Sequence, residues 1–169
     1  MVVRDRRLLA VASAQNDLAL PMAIFGKAGS PAGGLRILSL VMGVFLVCMG
    51  LTKIGWLTDS APLVHTLQGW RGDAQPMVLW YLDMVAIPGA PVFARVVLLA
   101  ELAAGATLIL GVRVRLTAAL TLLMVLNFHV ASDVIFHYDY LTNGYGLPVL
   151  GGLLALALSG TRLPFSVSN

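Results

Sequence analysis

The sequence predicts an all-α integral membrane protein, a four-helix bundle with a capping outer loop between helices 1 and 2. Of its 169 residues 59% are apolar and only 11% charged, against about 25% charged in an ordinary soluble domain. The mean hydropathy is +0.88. The apolar residues gather into four runs without period-two alternation. Helices, whose backbone groups are bonded within the segment, are therefore expected rather than barrel strands. Eight acidic and eleven basic side chains are too few to coat a water-soluble globule, so the lipid bilayer is the expected surrounding. The net charge of +3 does not point to nucleic acid, because the basic residues sit in short clusters beside apolar runs, as positive-inside anchors do.

Residues 1–34 read as a cytosolic tail. Arg4–Arg7 and Ala12–Ser13–Ala14 imitate a signal peptide, but Leu8–Val11 is too short for its apolar region, and a start at Met22 instead of Met1 stays open. The membrane domain covers residues 35–160, with spans at about 36–57, 93–112, 116–136 and 146–160, and 161–169 form a second cytosolic tail. Pro148 falls in the first turn of the fourth span, where a missing N–H is harmless. The lone Cys48 reads as a small packing residue within the first span. Arg4, Arg6, Arg7, Lys27, Arg36, Arg113, Arg115 and Arg162 fall on one side of the bundle, and Lys53, Arg71 and Arg95 on the other. The positive-inside rule then places both termini in the cytoplasm of a bacterial or archaeal cell with a multi-pass protein in its inner membrane.

The outer loop, residues 58–92, carries an amphipathic helix from Ala61 to Trp70 and a second apolar piece, Met77–Val85, which Pro88–Gly89–Ala90–Pro91 should break. Both pieces are too short to span and are expected in the interface, as a cap. Trp56, Trp70, Trp80 and Tyr81 would form an aromatic belt, either anchoring the membrane edge or gating a lipid-facing site.

Ionisable groups at membrane depth are costly, about 2.5–3.5 kcal/mol each on insertion scales, so each asks for a reason. From the helical rise, Glu101 lies about 12 Å from the outer end of its span, Asn127 about 13 Å, His129 about 10 Å, Lys53 about 6 Å and Asp133 about 5 Å. Arg95 is one turn in. All fall in the outer half of the bilayer. His129, Asp133 and His137 have i, i+4, i+8 spacing and would form one stripe, while Asn127 points away from His129. Glu101 sits above Ala104 and Gly105 in a small-residue run, and such residues let backbones approach closely. That approach would bring Glu101 to Lys53 or to the His129 stripe. Three readings stay open: a metal site, for which the ligand count falls short; a buried polar network that only holds the bundle together; or a site at which Glu101 and His129 handle protons.

The residues resemble the DoxX-like family, and more narrowly its DoxD type, the small membrane subunit of thiosulfate:quinone oxidoreductase. The resemblance rests on Arg36 before the first span, on Gly50–Leu51–Thr52–Lys53 at its end, on Trp80–Tyr81 and Phe93–Ala94, and most firmly on Glu101, Gly105 and Leu108–Ile109–Leu110–Gly111–Val112–Arg113–Val114–Arg115. It covers about residues 36–160. It implies the membrane subunit of a quinone-linked sulfur or thiol oxidoreductase, or of a redox-stress complex. It implies quinone as the cofactor, with no metal or haem, and a partner subunit or a second copy of the chain. Glu101 and His129 would be the catalytic pair. Lys53, Arg95, Asn127 and Asp133 would bind an anionic or small thiol substrate, and Trp80 and Tyr81 would face the quinone. Of these, Arg95, Asn127, His129 and Asp133 come from the depth argument alone. The competing expectation is a non-catalytic membrane scaffold that recruits soluble redox enzymes through its basic tail and the Arg113–Arg115 turn.

Overall fold

The computed structural model describes residues 31–72, 74–159 and 163–164. The regular structure among them is helical throughout. In chain order the α-helices are α1 (Pro31–Leu51), α2 (Ala61–Trp70), α3 (Pro76–Tyr81), α4 (Ile87–Leu110), α5 (Val114–Ala131) and α6 (Leu147–Leu158), with one 3₁₀ turn after α1 (Ile54–Leu57) and two after α5 (Val134–Phe136 and Tyr138–Leu141). Pro31–Leu51, Pro76–Leu110 and Val114–Ala131 are long and apolar enough to cross a membrane, while the apolar α6 is shorter. At about 1.5 Å per residue the 12 residues of α6 fall well short of a hydrocarbon core of about 30 Å. The expected basic N-terminal tail up to residue 30 lies outside the described residues, as does Arg162.

The bundle is organised by the face that α1 turns to α4. Its buried residues are Gly33, Arg36, Ser39, Gly43, Leu46 and Gly50, a spacing of three and four that makes one narrow stripe of mostly small side chains. Between Gly43 and Gly105 the two backbones touch, and a Cβ built on either glycine would lie within 2.8 Å of the other's carbonyl oxygen. Lower on the same stripe, Arg36 Nη1 and Nη2 donate to the carbonyls of Leu108 and Ile109 at 2.9 and 2.6 Å, and Ser39 Oγ donates to Leu108 O at 2.8 Å. These donors satisfy carbonyls at the end of α4, which closes on Gly111 in the left-handed conformation (φ 74°). Leu46, Leu108, Ala118, Leu153 and Leu156 fill the centre where α1, α4, α5 and α6 meet.

Three sequence expectations are corrected. Pro88–Pro91 do not break the chain: α3, a π turn at Leu82–Ala86 and α4 run on as one helix of 35 residues. Pro88 and Pro91 cannot donate to the carbonyls of Met84 and Ile87, and the π turn beside them lets the helix resume in new register. Met77–Val85 is thus the head of the second long helix rather than a separate interfacial piece. The third run stops at Ala131 instead of Phe136, because Asp133 takes a left-handed conformation (φ 60°) that acidic residues tolerate better than most. Cys48, read as a packing residue, is exposed on the outer side of α1. The amphipathic helix over Ala61–Trp70 is present, burying Leu63 and Leu67 against the head of the long helix through Val78, Leu82 and Ala86.

Candidate functional site

Glu101 occupies the α1-facing stripe of α4, one turn before Gly105. The glycine contact holds the two backbones so close that the carboxylate cannot reach solvent along the helix, and its side chain is only 8% exposed. Lys53 follows directly on the last turn of α1 and reaches back over it. Its Nζ donates to both carboxylate oxygens of Glu101 at 2.9 Å and to Met49 O at 3.0 Å. The Trp56 ring stands 5.8 Å from the same ammonium, a distance at which the ring face attracts a cation. Both charges are nearly withdrawn from solvent. Such a pair persists only when each partner has its opposite and its hydrogen bonds.

Beside this pair lies a cavity of about 310 Å³, walled by Glu101, Lys53, His129 and a group of large apolar side chains: Phe45, Met49, Trp56, Leu63, Trp70, Val125, Phe128, Tyr145 and Val149, with Thr66. Volume and wall chemistry match a small-molecule site, apolar with a few convergent polar groups. The wall is assembled from α1 and the turn after it, α2, α4, α5, and α6 with the chain leading into it. Phe45 and Tyr145 stack at 6.1 Å, and Trp70 meets Phe128 edge-on at 6.4 Å. The last two residues, with Leu63, also line a second, smaller cavity of about 80 Å³ that runs towards Tyr81 and Asn127.

His129 is oriented from behind. Its Nδ1 is 2.9 Å from the hydroxyl of Tyr140, a residue 5% exposed whose pKa burial pushes up, so the hydroxyl keeps its proton throughout the physiological range. Within the described residues Nε2 makes no hydrogen bond and is the ring nitrogen left for a ligand.

The expected residues therefore divide. Glu101, Lys53 and His129 come together around one cavity. Arg95 does not join them: it is exposed and its Nη1 donates to the carbonyl of Pro91 on its own helix. Asn127 points to the other side of α5, as its helical angle required, and accepts a hydrogen bond from the Tyr81 hydroxyl at 2.9 Å. Trp80 is 62% exposed and stands apart from the cavity, and Tyr81 borders only the smaller one. Asp133, with His137, forms a separate corner. Its Oδ2 accepts from the Gln75 amide at 3.3 Å and lies 3.5 Å from His137 Nε2, although the two no longer share a helix face. Among the described residues no group of three or more His, Cys, Asp or Glu side chains is placed to hold a metal ion.

Trp56 and Trp70, read from sequence either as a membrane belt or as a gate, line the cavity. Phe45, Phe128, Tyr140 and Tyr145 carried no signal of their own, since each is an aromatic side chain in an apolar or loop segment. The spacing of Tyr140 from His129 becomes legible only once α5 is known to end at Ala131.

A family model described as DoxX matches residues 34–137, more than half of the chain and the part that holds Lys53, Glu101 and His129. No curated protein and no solved structure matches the chain.

Proposed function

The chain belongs to the DoxX family, and from that premise we propose that it is the quinone-binding membrane subunit of a sulfur or thiol oxidoreductase. The observation that carries this reading is the buried Lys53–Glu101 pair in the wall of an aromatic cavity that also receives His129. The wall suits a quinone. Its aromatic side chains offer faces for a planar ring, Glu101 and His129 offer polar atoms at its edge, and the apolar remainder suits a lipid-soluble tail. A bound quinone would supply the two-electron, two-proton acceptor, becoming quinol as two thiols of the donor give up two protons and two electrons to form a disulfide.

The work of the chain is to bind, orient and handle protons. Trp56, Trp70 and Phe128 keep water from the ring. His129, held by Tyr140, presents one nitrogen for proton exchange, an action suited to an imidazole near neutrality. Lys53 holds Glu101 in place through both carboxylate oxygens. The electron donor is expected on a partner subunit or in solution, since the chain's single cysteine cannot form an internal disulfide. Arg36, Arg113 and Arg115 gather at the bundle end opposite Lys53, which supports cytoplasmic termini in an inner membrane and a cavity near the outer face.

The test is thiol-dependent reduction of a short-chain quinone by membranes carrying the protein, together with quinone analysis of lipids extracted from protein purified in mild detergent. Wild type is expected to retain quinone and support turnover. Glu101→Gln is expected to abolish turnover while the yield of folded, inserted protein is unchanged. Loss of folded protein in step with activity, or an extract without quinone, would overturn the proposal.

A further inference from the structure

The contact between Tyr140 and His129 decides which atom the imidazole turns to the cavity. Tyr140 belongs to the 3₁₀ turn Tyr138–Leu141. Its ring lies against the backbone of Gly146, where a Cβ would stand 2.9 Å from Tyr140 Cε2 and 3.0 Å from Tyr140 O. So held, it meets the imidazole edge-on, with ring centres 5.3 Å apart, and places its hydroxyl 2.9 Å from Nδ1. A phenol has one proton to donate, and a neutral imidazole has one N–H and one bare nitrogen. Were Nδ1–H the donor, the phenolic proton would need another acceptor. Among the described residues the Tyr140 hydroxyl has no partner but the ring nitrogen itself, and a buried donor without an acceptor is costly. Burial also keeps the phenol protonated. The balance therefore favours Tyr140 O–H donating to a bare Nδ1, which leaves the imidazole proton on Nε2. The two ring nitrogens point in nearly opposite directions, and His129 lines the cavity while Tyr140 stands behind it. The Nε2–H is thus the donor turned towards the ligand.

We propose that Tyr140 is a positioning residue that fixes His129 as the Nε2–H tautomer, so that the cavity receives its ligand with a neutral N–H donor matched to a carbonyl oxygen. The inference rests on the quinone-site reading and names the ring atom and the ligand atom that meet. A quinone carbonyl is an acceptor only. A bare Nε2 would set lone pair against lone pair, whereas Nε2–H makes a hydrogen bond to it. The same N–H stabilises the negative charge that gathers on that oxygen as the ring is reduced, and a neutral imidazole is able to polarise a carbonyl in this way. Tyr140 touches no ligand and acts through His129 alone.

The experiment is proton–nitrogen NMR of the full-length protein in mild detergent, labelled at its histidines and held at mildly alkaline pH, where an ordinary imidazole is neutral. Among the three histidines of the chain, the signals of His129 are assigned by their loss in His129→Gln. Wild type is expected to carry the proton on Nε2 and none on Nδ1. Tetramethyl-benzoquinone should shift the Nε2 signal and leave Nδ1 nearly unmoved. Tyr140→Phe should show a mixture of tautomers and bind tetramethyl-benzoquinone about two- to tenfold more weakly, the scale of one neutral hydrogen bond. Its binding of tetramethylbenzene, which has the same outline and no acceptor, should be unchanged. A proton on Nδ1 in wild type, or an unaltered tautomer in folded Tyr140→Phe, overturns the positioning role, and the wild-type spectrum decides even if the variant folds poorly. A quinone that binds without moving Nε2 overturns the donor role. Each of these results leaves the quinone site standing, whereas failure of the quinone to bind overturns that site and leaves the tautomer assignment intact.

Discussion

Replacing Gly105 by alanine adds a single methyl group at the point where α1 and α4 touch. That carbon would stand 2.6 Å from Val47 Cγ2, 2.7 Å from Gly43 O and 2.9 Å from Val47 N, whereas ordinary van der Waals contact begins at 3.4 Å. Two of the three neighbours are backbone atoms and cannot rotate away, so α1 as a whole must retreat by about 0.7 Å at the crossing. Overpacking of this kind costs about 1–3 kcal/mol. Alanine is also a better helix former than glycine by about 1 kcal/mol, which would offset part of the loss. Gly151→Ala is the control that removes this ambiguity. Gly151 lies inside α6 with nothing within 4 Å of its would-be Cβ, so it takes the propensity gain without the clash. The difference between the two variants is then the packing cost alone, about 1–3 kcal/mol. The assay is the thermal midpoint of the detergent-solubilised protein, followed by size-exclusion after heating. Gly105→Ala should melt below wild type or at most level with it, and Gly151→Ala level or above. Equal midpoints for the two variants would refute the close approach of α1 and α4.

Two further perturbations separate charge from packing. Lys53→Met leaves Glu101 buried without its cation and should destabilise by about 3–5 kcal/mol, while Lys53→Met with Glu101→Met should recover most of that loss, since apolar replacement of a buried pair is often neutral; thermal midpoints of the three proteins check this. Tyr140 gives a pH dependence. Its folded-state pKa is raised by burial, so the folded protein holds the phenolic proton where the unfolded chain, with a pKa near 10, has begun to lose it. Stability from this residue is level below about pH 10 and falls as pH rises further through the folded value. Thermal midpoints between pH 9 and pH 11 should decline in wild type and less steeply in Tyr140→Phe.

The lipid-embedded helical class was legible because composition alone forbids a soluble globule, and the small residues around Gly105 pointed to a close helix neighbour that would bring Glu101 to Lys53 or to the His129 stripe, without choosing between them. Two helix ends were not. Pro88 and Pro91 read as breakers by a rule drawn from isolated helices, but a packed helix can skip a hydrogen bond through a π turn. The i, i+4, i+8 spacing of His129, Asp133 and His137 read as helix, and a single left-handed residue at Asp133 undid it. The cavity wall was hidden for a different reason. Trp56 and Trp70 suit a membrane belt by type, and residue type does not reveal direction. Only the fold of α2 back over the bundle turns them inward.

The same crossing that stabilises the bundle also creates the site. Gly43 and Gly105 draw α1 and α4 together. Gly50, whose would-be Cβ lies 2.8 Å from Leu102, extends that approach to the last turn of α1. Beyond Leu51 the chain turns off into a 3₁₀ segment while the long helix continues, and the cavity fills the space between them. A bundle of this kind has no energetic need of charge at that point, because well-packed apolar side chains would serve as well or better than a buried ion pair. Lys53 is accounted for by Glu101, which would be intolerable there without a counter-charge. Glu101 is not accounted for by Lys53, since removing both would be the cheaper solution. The proposed function gives a reason to keep it: a carboxylate set in an aromatic enclosure faces what enters the cavity.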